Sequence, residues 1–201
     1  MGKAREERYR VIAALLQYPE PAWLEIIPQA RAYSRRLPAG RIRDTIEAFL
    51  DHAASQPLLR LQENFTAVFD LNPATTLNMS YHVSGDGRKR AALLASLQQG
   101  YRRAGYEGPD HELPDFLPAM IEFLAVCRDA TALEPFRRCL AGLAGLVDRL
   151  RQAAPPYAYL LELLVEDYSS SQPDAELASF SKPVERSPSM DDGWRNRRDT
   201  P

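Results

Sequence analysis

The side chains able to do chemistry in this sequence are few and scattered. His52, His82 and His111 lie on separate segments, and none stands in HExxH or another spacing that would put two imidazoles on one metal. Asp51-His52 reverses the His-Asp order of helical metal phosphohydrolases, and no second His/Asp set supports it. Cys127 and Cys139 form no CxxC pair, so they read as packed thiols in a reducing compartment rather than as a zinc site or a disulfide framework. Gly85-Asp86-Gly87 has neither the preceding strand nor the Walker spacing of a phosphate loop, and there is no GxSxG elbow. Carboxylates gather at Glu112 and Asp115, but no proton partner can be matched to them. The expectation is a protein that binds rather than an enzyme, with no catalytic residue, metal ligand or resident cofactor.

The densest stretch is Glu112-Leu113-Pro114-Asp115-Phe116-Leu117-Pro118, running on into Ala119 to Leu124. A helix cannot pass undisturbed through both prolines, since each lacks the N–H that an interior position donates. With Asp115 as the N-cap, a helix starts near Phe116 and Pro118 falls at its third position, where no N–H is needed. Phe116, Met120, Phe123, Leu124 and Cys127 then make one apolar stripe, with Leu117, Ile121 and Ala125 beside it. A helix apolar on more than one side is either central to a bundle or offers a face to something else.

The remaining elements are also helical. Apolar spacing predicts helices over about 4–17, from Pro21 to about Arg36, around Ile42–Ala53, and from Pro57 through Phe69. One or two turns follow near Leu77–Tyr81, and a helix closes at Gly105. After the proline-led helix, Thr131-Ala132-Leu133-Glu134 reads as a capping box opening a helix to about Gln152, and Tyr157–Tyr168 makes the last one. No stretch alternates with period two long enough for a strand. The predicted fold is all-α, a single-domain bundle of about eight helices over residues 1–168, with a flexible tail over 169–201 whose bulky anchors are Phe180 and Trp194. Arg88, Lys89 and Arg90 place positive charge at the positive end of a helix dipole. Either local ion pairs on a solvated surface offset it, or carboxylates elsewhere, Asp70 or Asp115, brace these arginines and fix a groove.

A formal net charge of -2 argues against nucleic acid as the main partner. The charged start, Met1 to Glu7, has no signal-peptide apolar run, and Glu6 stands where myristoylation wants Ser or Thr. No apolar stretch approaches the roughly 20 residues that span a bilayer. A cytoplasmic protein without stable membrane insertion is expected.

Glu63-x-Phe65-x3-Phe69-Asp70, Leu77 to His82, Gly85-Asp86-x-Arg88-x-Arg90, Tyr101-x3-Gly105, Glu112-Leu113-Pro114-Asp115-x-Leu117-Pro118 and Glu122-Phe123-Leu124 together resemble the NarJ family. These are molybdenum-cofactor assembly chaperones of respiratory nitrate reductase, relatives of the TorD and DmsD maturation proteins. The resemblance covers roughly residues 8–168 and departs at Ala91, where a glycine is expected. It implies a TorD/NarJ-like fold and a cytosolic chaperone that binds unfolded client. The client would be the N-terminal segment of the apo alpha subunit of nitrate reductase, held for molybdenum cofactor insertion before membrane attachment. Molybdenum cofactor biosynthesis proteins are implied as further partners, and nitrate assimilation as the setting. A generic helical adaptor and a helical hydrolase are the rival readings.

For a basic, amphipathic client helix the groove needs an apolar floor and an acidic rim. Phe69, Tyr81, Leu113, Phe116, Leu117 and Ile121 are the expected floor, and Glu63, Asp70, Glu112, Asp115 and Glu122 the expected rim. Asp86, Arg88, Arg90, Pro114 and Pro118 are expected to brace it.

Overall fold

The computed structural model describes residues 2–85, 87–109 and 111–170. Asp86 and the segment 171–201 therefore lie outside the described residues. Among those described there are ten α-helices and no strand: α1 (Lys3–Leu15), α2 (Ile26–Arg36), α3 (Arg41–Ala54), α4 (Leu58–Phe65), α5 (Met79–Ser84), α6 (Arg88–Arg103), α7 (Leu117–Val126), α8 (Ala130–Leu140), α9 (Leu143–Ala153) and α10 (Pro155–Ser170). None is long and apolar enough to cross a membrane.

The ten exceed the expected eight because the turns near Leu77–Tyr81 form α5 and the helix to Gln152 divides in two, while proline reshapes the entry to α2. The segment from Pro21 is not one helix. A 3-10 turn, Pro21–Glu25, precedes α2, and this break puts Pro28 in the first turn of α2, where its missing N–H costs nothing. Trp23 in that turn donates its indole N–H to the Ala14 carbonyl at 3.0 Å, pinning it to the end of α1. The expected long helix to Gln152 splits into α8 and α9 at Ala141-Gly142. A Cβ at Gly142 would stand 2.8 Å from His82 Cβ and 3.0 Å from Val83 Cγ1, so the chain turns where α5 needs the space. Nor does the Thr131–Glu134 box open α8. Asp129 is its N-cap, accepting from Thr131 N–H at 2.9 Å and Ala132 N–H at 3.2 Å.

Helix α1 lies along α7, α6 along α8, α2 along α3, and α9 along α10, while α3 also packs on α10 and short α5 wedges among α6, α8 and α9. The core runs through all of them, with Ile12, Leu16, Leu50, Leu97, Leu117, Met120, Ile121, Phe136 and Leu146 fully buried. Two aromatic clusters anchor it. Tyr101, Phe123 and Phe136 stack at 4.6–4.8 Å between centroids, and Phe65, Phe69 and Tyr157 meet at 4.8–6.3 Å. The second depends on a wide π turn, Thr66–Asp70, which prolongs α4 and carries Phe69 under Phe65.

Candidate functional site

The entry into α7 differs from the expected cap. Phe116 flanks the helix and Pro118 is its second residue, not its third. Leu117 N–H donates to the Leu77 carbonyl and Met79 N–H to the Asp115 carbonyl, both at 2.9 Å, an antiparallel bridge between the chains entering α5 and α7. Asp115 is fully buried and caps the other helix. Its Oδ2 accepts from Ser80 N–H at 3.1 Å and Ser80 Oγ at 2.5 Å, in the first turn of α5, and its Oδ1 accepts from Asn78 Nδ2 at 3.2 Å. Arg90 completes the knot, its Nη2 3.7 Å from Asp115 Oδ2 and its Nε donating to Ser80 Oγ at 3.1 Å. A carboxylate buried among three donors and a cation is worth more here than one first-turn bond at its own helix, which is why the acid faces α5.

An open cleft lies beside the α7 entry. Its volume is about 720 Å³, with Arg10 of α1 and Gln17 just beyond it on one wall and the α6–α7 connection (Tyr106, Glu107, His111, Glu112) on the other. Phe116, Ala119, Phe123 and Val126 form the floor, and Glu122 joins the rim. Tyr106 stands edge-on to Phe123 at 5.2 Å, so the aromatic core stack surfaces here. A smaller cleft of about 260 Å³ adjoins it, lined by Tyr18, Phe65, Phe69, Asp70 and Asn78 among others, and shares Gln17, Glu112 and Phe116 with the larger one. The two form a trough beside the start of α7, apolar along the floor of the larger cleft, more polar in the smaller, with carboxylates along the rim.

A family model described as nitrate reductase delta subunit matches residues 36–161. The chain is 30% identical over 161 residues to the probable nitrate reductase molybdenum cofactor assembly chaperone NarJ of Bacillus subtilis, covering 80% of this chain and 88% of that one. It is 32% identical to the probable chaperone NarW and 31% identical to the chaperone NarJ of Escherichia coli strain K12, covering 68% and 67% of those chains and 81% and 78% of this one. The chain belongs to the nitrate reductase delta subunit, or NarJ, family.

The NarJ-type motifs divide by position. Phe116, Asp70, Glu112 and Glu122 lie together on the trough, and Phe69 backs the smaller cleft from within the core. Leu117 and Ile121 do not. They point inward and are core, because the side of α7 that carries them packs inside the bundle. Asp115 is likewise no rim residue but a buried cap. Tyr81 sits half-buried on α5, edge-on to His82, away from both clefts. Leu113 is exposed beside Glu112 without lining either cleft, and Glu63 is exposed and paired with Arg60 at 2.9 Å. Of the bracing residues, Arg90 reaches Asp115, Arg88 is exposed, Pro118 is buried and the Pro114 carbonyl accepts from Tyr101 OH at 3.4 Å.

Spacing within single helices could not reveal Arg10, Gln17, Tyr106, Glu107 and His111, since they meet α7 only through tertiary packing. The one available signal was Tyr106 among Gly105, Gly108 and Pro109, an aromatic in a connection with no apolar period of its own.

Electrostatically the trough is acidic. Glu122 is exposed outward, yet the cleft walls desolvate its carboxyl and push its pKa above the usual value, with Arg10 partly offsetting this. Arg10 itself is held by Glu6 at 2.9 Å. Burial and the nearby carboxylates raise the Tyr101 phenol, so it stays a neutral donor. Burial also lifts the Cys139 thiol to about 12, which makes it a poor nucleophile. Among the described residues no three of His, Cys, Asp and Glu gather as metal ligands.

Proposed function

We propose that this chain is a maturation chaperone for a nitrate reductase and that the trough beside α7 receives the N-terminal segment of the apo alpha subunit. The carrying observation is the pairing of an aromatic floor (Tyr106, Phe116, Phe123) with a rim of Glu107, Glu112, Glu122 and Asp70. An amphipathic, basic client helix lays its apolar side on such a floor, and the carboxylates set its orientation and on-rate. Held this way, the alpha subunit stays open to molybdenum cofactor insertion by the biosynthesis proteins and kept from the membrane in the cytoplasm. The cofactor is cargo for the client, and this chain acts by binding rather than by catalysis.

The test is titration calorimetry with a synthetic peptide from the start of the cognate alpha subunit. Burying one aromatic anchor is worth about 1.5–3 kcal/mol, so Phe116→Ala should weaken binding by roughly ten- to a hundredfold. Equal affinities for Phe116→Ala and the parent would refute the assignment.

A further inference from the structure

Residues 171–201 follow α10, and one stretch of them, Trp194-Arg195-Asn196-Arg197-Arg198, sets an aromatic ring beside three arginines. We infer that this segment occupies the chain's own acidic cleft, with Trp194 on the Tyr106–Phe116–Phe123 floor and the arginines at Glu107, Glu112 and Glu122, as a placeholder that the client must displace. The inference rests on the reading of the trough as the client site and adds a regulator to it.

Charge and reach both support this occupant. The cleft has three carboxylates on its rim against Arg10, which Glu6 already engages. Asp191, Asp192 and Asp199 bracket the basic stretch, so the complementarity is local to residues 194–198. The end of α10 docks on α1 through the Asp167–Arg8 ion pair, and Arg10 of the cleft wall lies two residues further along α1. The cleft wall at Arg10 therefore begins about one helix diameter, roughly 10–12 Å, from that ion pair. The stretch from Ser170 to Trp194 is long enough to reach it, spanning roughly 25–30 Å at random-coil dimensions and roughly 80 Å at full extension. A tether of that length gives an effective concentration of roughly millimolar, so a weak contact suffices to cover exposed Tyr106 and half-buried Phe116 until a tighter client arrives.

The test uses the full chain with 15N-labelled tryptophan, which has two indole N–H signals, Trp23 and Trp194. Buried Trp23, bonded to Ala14, is the internal reference. Without client, the Trp194 signal is expected away from its random-coil position, to return there in Glu122→Lys, and to return when the alpha-subunit peptide is added. Replacing Arg195, Arg197 and Arg198 by Glu should tighten peptide binding roughly two- to tenfold. A random-coil Trp194 signal in the parent, with peptide affinity unchanged by the triple replacement, overturns the inference and leaves the client reading intact if Phe116→Ala still weakens the peptide. A Trp194 displacement that varies with protein concentration also overturns it, in favour of a second copy's segment. A docked Trp194 with no peptide binding in any variant removes the client reading and overturns the placeholder role with it, leaving only the segment's contact with the cleft.

Discussion

At the scale of single residues, Asp115 and His82 decide how the α5 end of the bundle is held. Asp115→Ala would leave Ser80 N–H, Ser80 Oγ and Asn78 Nδ2 without their carboxylate acceptor, facing a buried hole, and would take away the charge opposite Arg90. The expected cost is about 3–5 kcal/mol of unfolding free energy in urea titrations, with a smaller loss for Asp115→Asn, which keeps the shape. A loss under about 0.5 kcal/mol for the alanine variant would show that the cap is not structural. His82 is held on both sides, its Nε2–H donating to the Thr76 carbonyl at 2.7 Å while its Nδ1 accepts from Arg149 Nη2 at 2.9 Å. A second ring proton would have to face that guanidinium. Burial comes first, with Arg149 adding, in pushing the His82 pKa below its usual value, against the Thr76 bond and Asp115. Because the folded pKa is depressed, the unfolded chain takes the proton first. Stability from this group is therefore complete above about pH 6.5 and declines as pH falls toward the folded pKa. Thermal melts of His82→Gln between pH 7.5 and 5 should show a shallower decline than the parent, and parallel curves would rule His82 out.

At the scale of elements, close approaches matter more than propensity. A Cβ at Gly100 on α6 would stand 2.6 Å from the Ala132 carbonyl oxygen and 2.8 Å from Phe136 Cε2. The first of these is backbone, so α8 itself would have to move. Gly100→Ala should raise helix propensity yet lower stability, by about 1–3 kcal/mol on the overpacking scale. Chemical denaturation showing a gain instead would mean that the α6–α8 contact is softer than its geometry. A separate close approach, Gly142 against His82 and Val83 of α5, marks where one periodic apolar run divides into α8 and α9.

At the scale of the whole molecule, α7 has two jobs that substitutions separate. Its inward side, with Leu117 and Ile121, is core, while Phe116, Ala119 and Glu122 line the trough. Leu117→Ala should cost about 2–5 kcal/mol of stability and, once folded, leave peptide affinity near that of the parent. Phe116→Ala should do the reverse. Raising salt from low to high should slow peptide association and weaken binding through the carboxylate rim. An affinity indifferent to salt would remove the rim from recognition.

Phe116, Met120 and Phe123 recur at helical spacing, and the paired prolines admit a helix only from one side, so the existence and type of α7 follow from the chain alone. The same holds for the all-helical class and for the family, carried by Gly85-Asp86-x-Arg88-x-Arg90 and Glu112 to Pro118. Such readings succeed because hydrophobic period and proline stereochemistry act within a few residues. What Asp115 binds, which side of α7 is covered, and that Arg10, Tyr106 and Glu107 complete the trough were decided only by tertiary packing. A carboxylate takes whichever donors the fold brings within hydrogen-bonding reach, and a helix apolar on two sides does not record which of them its neighbours will leave open.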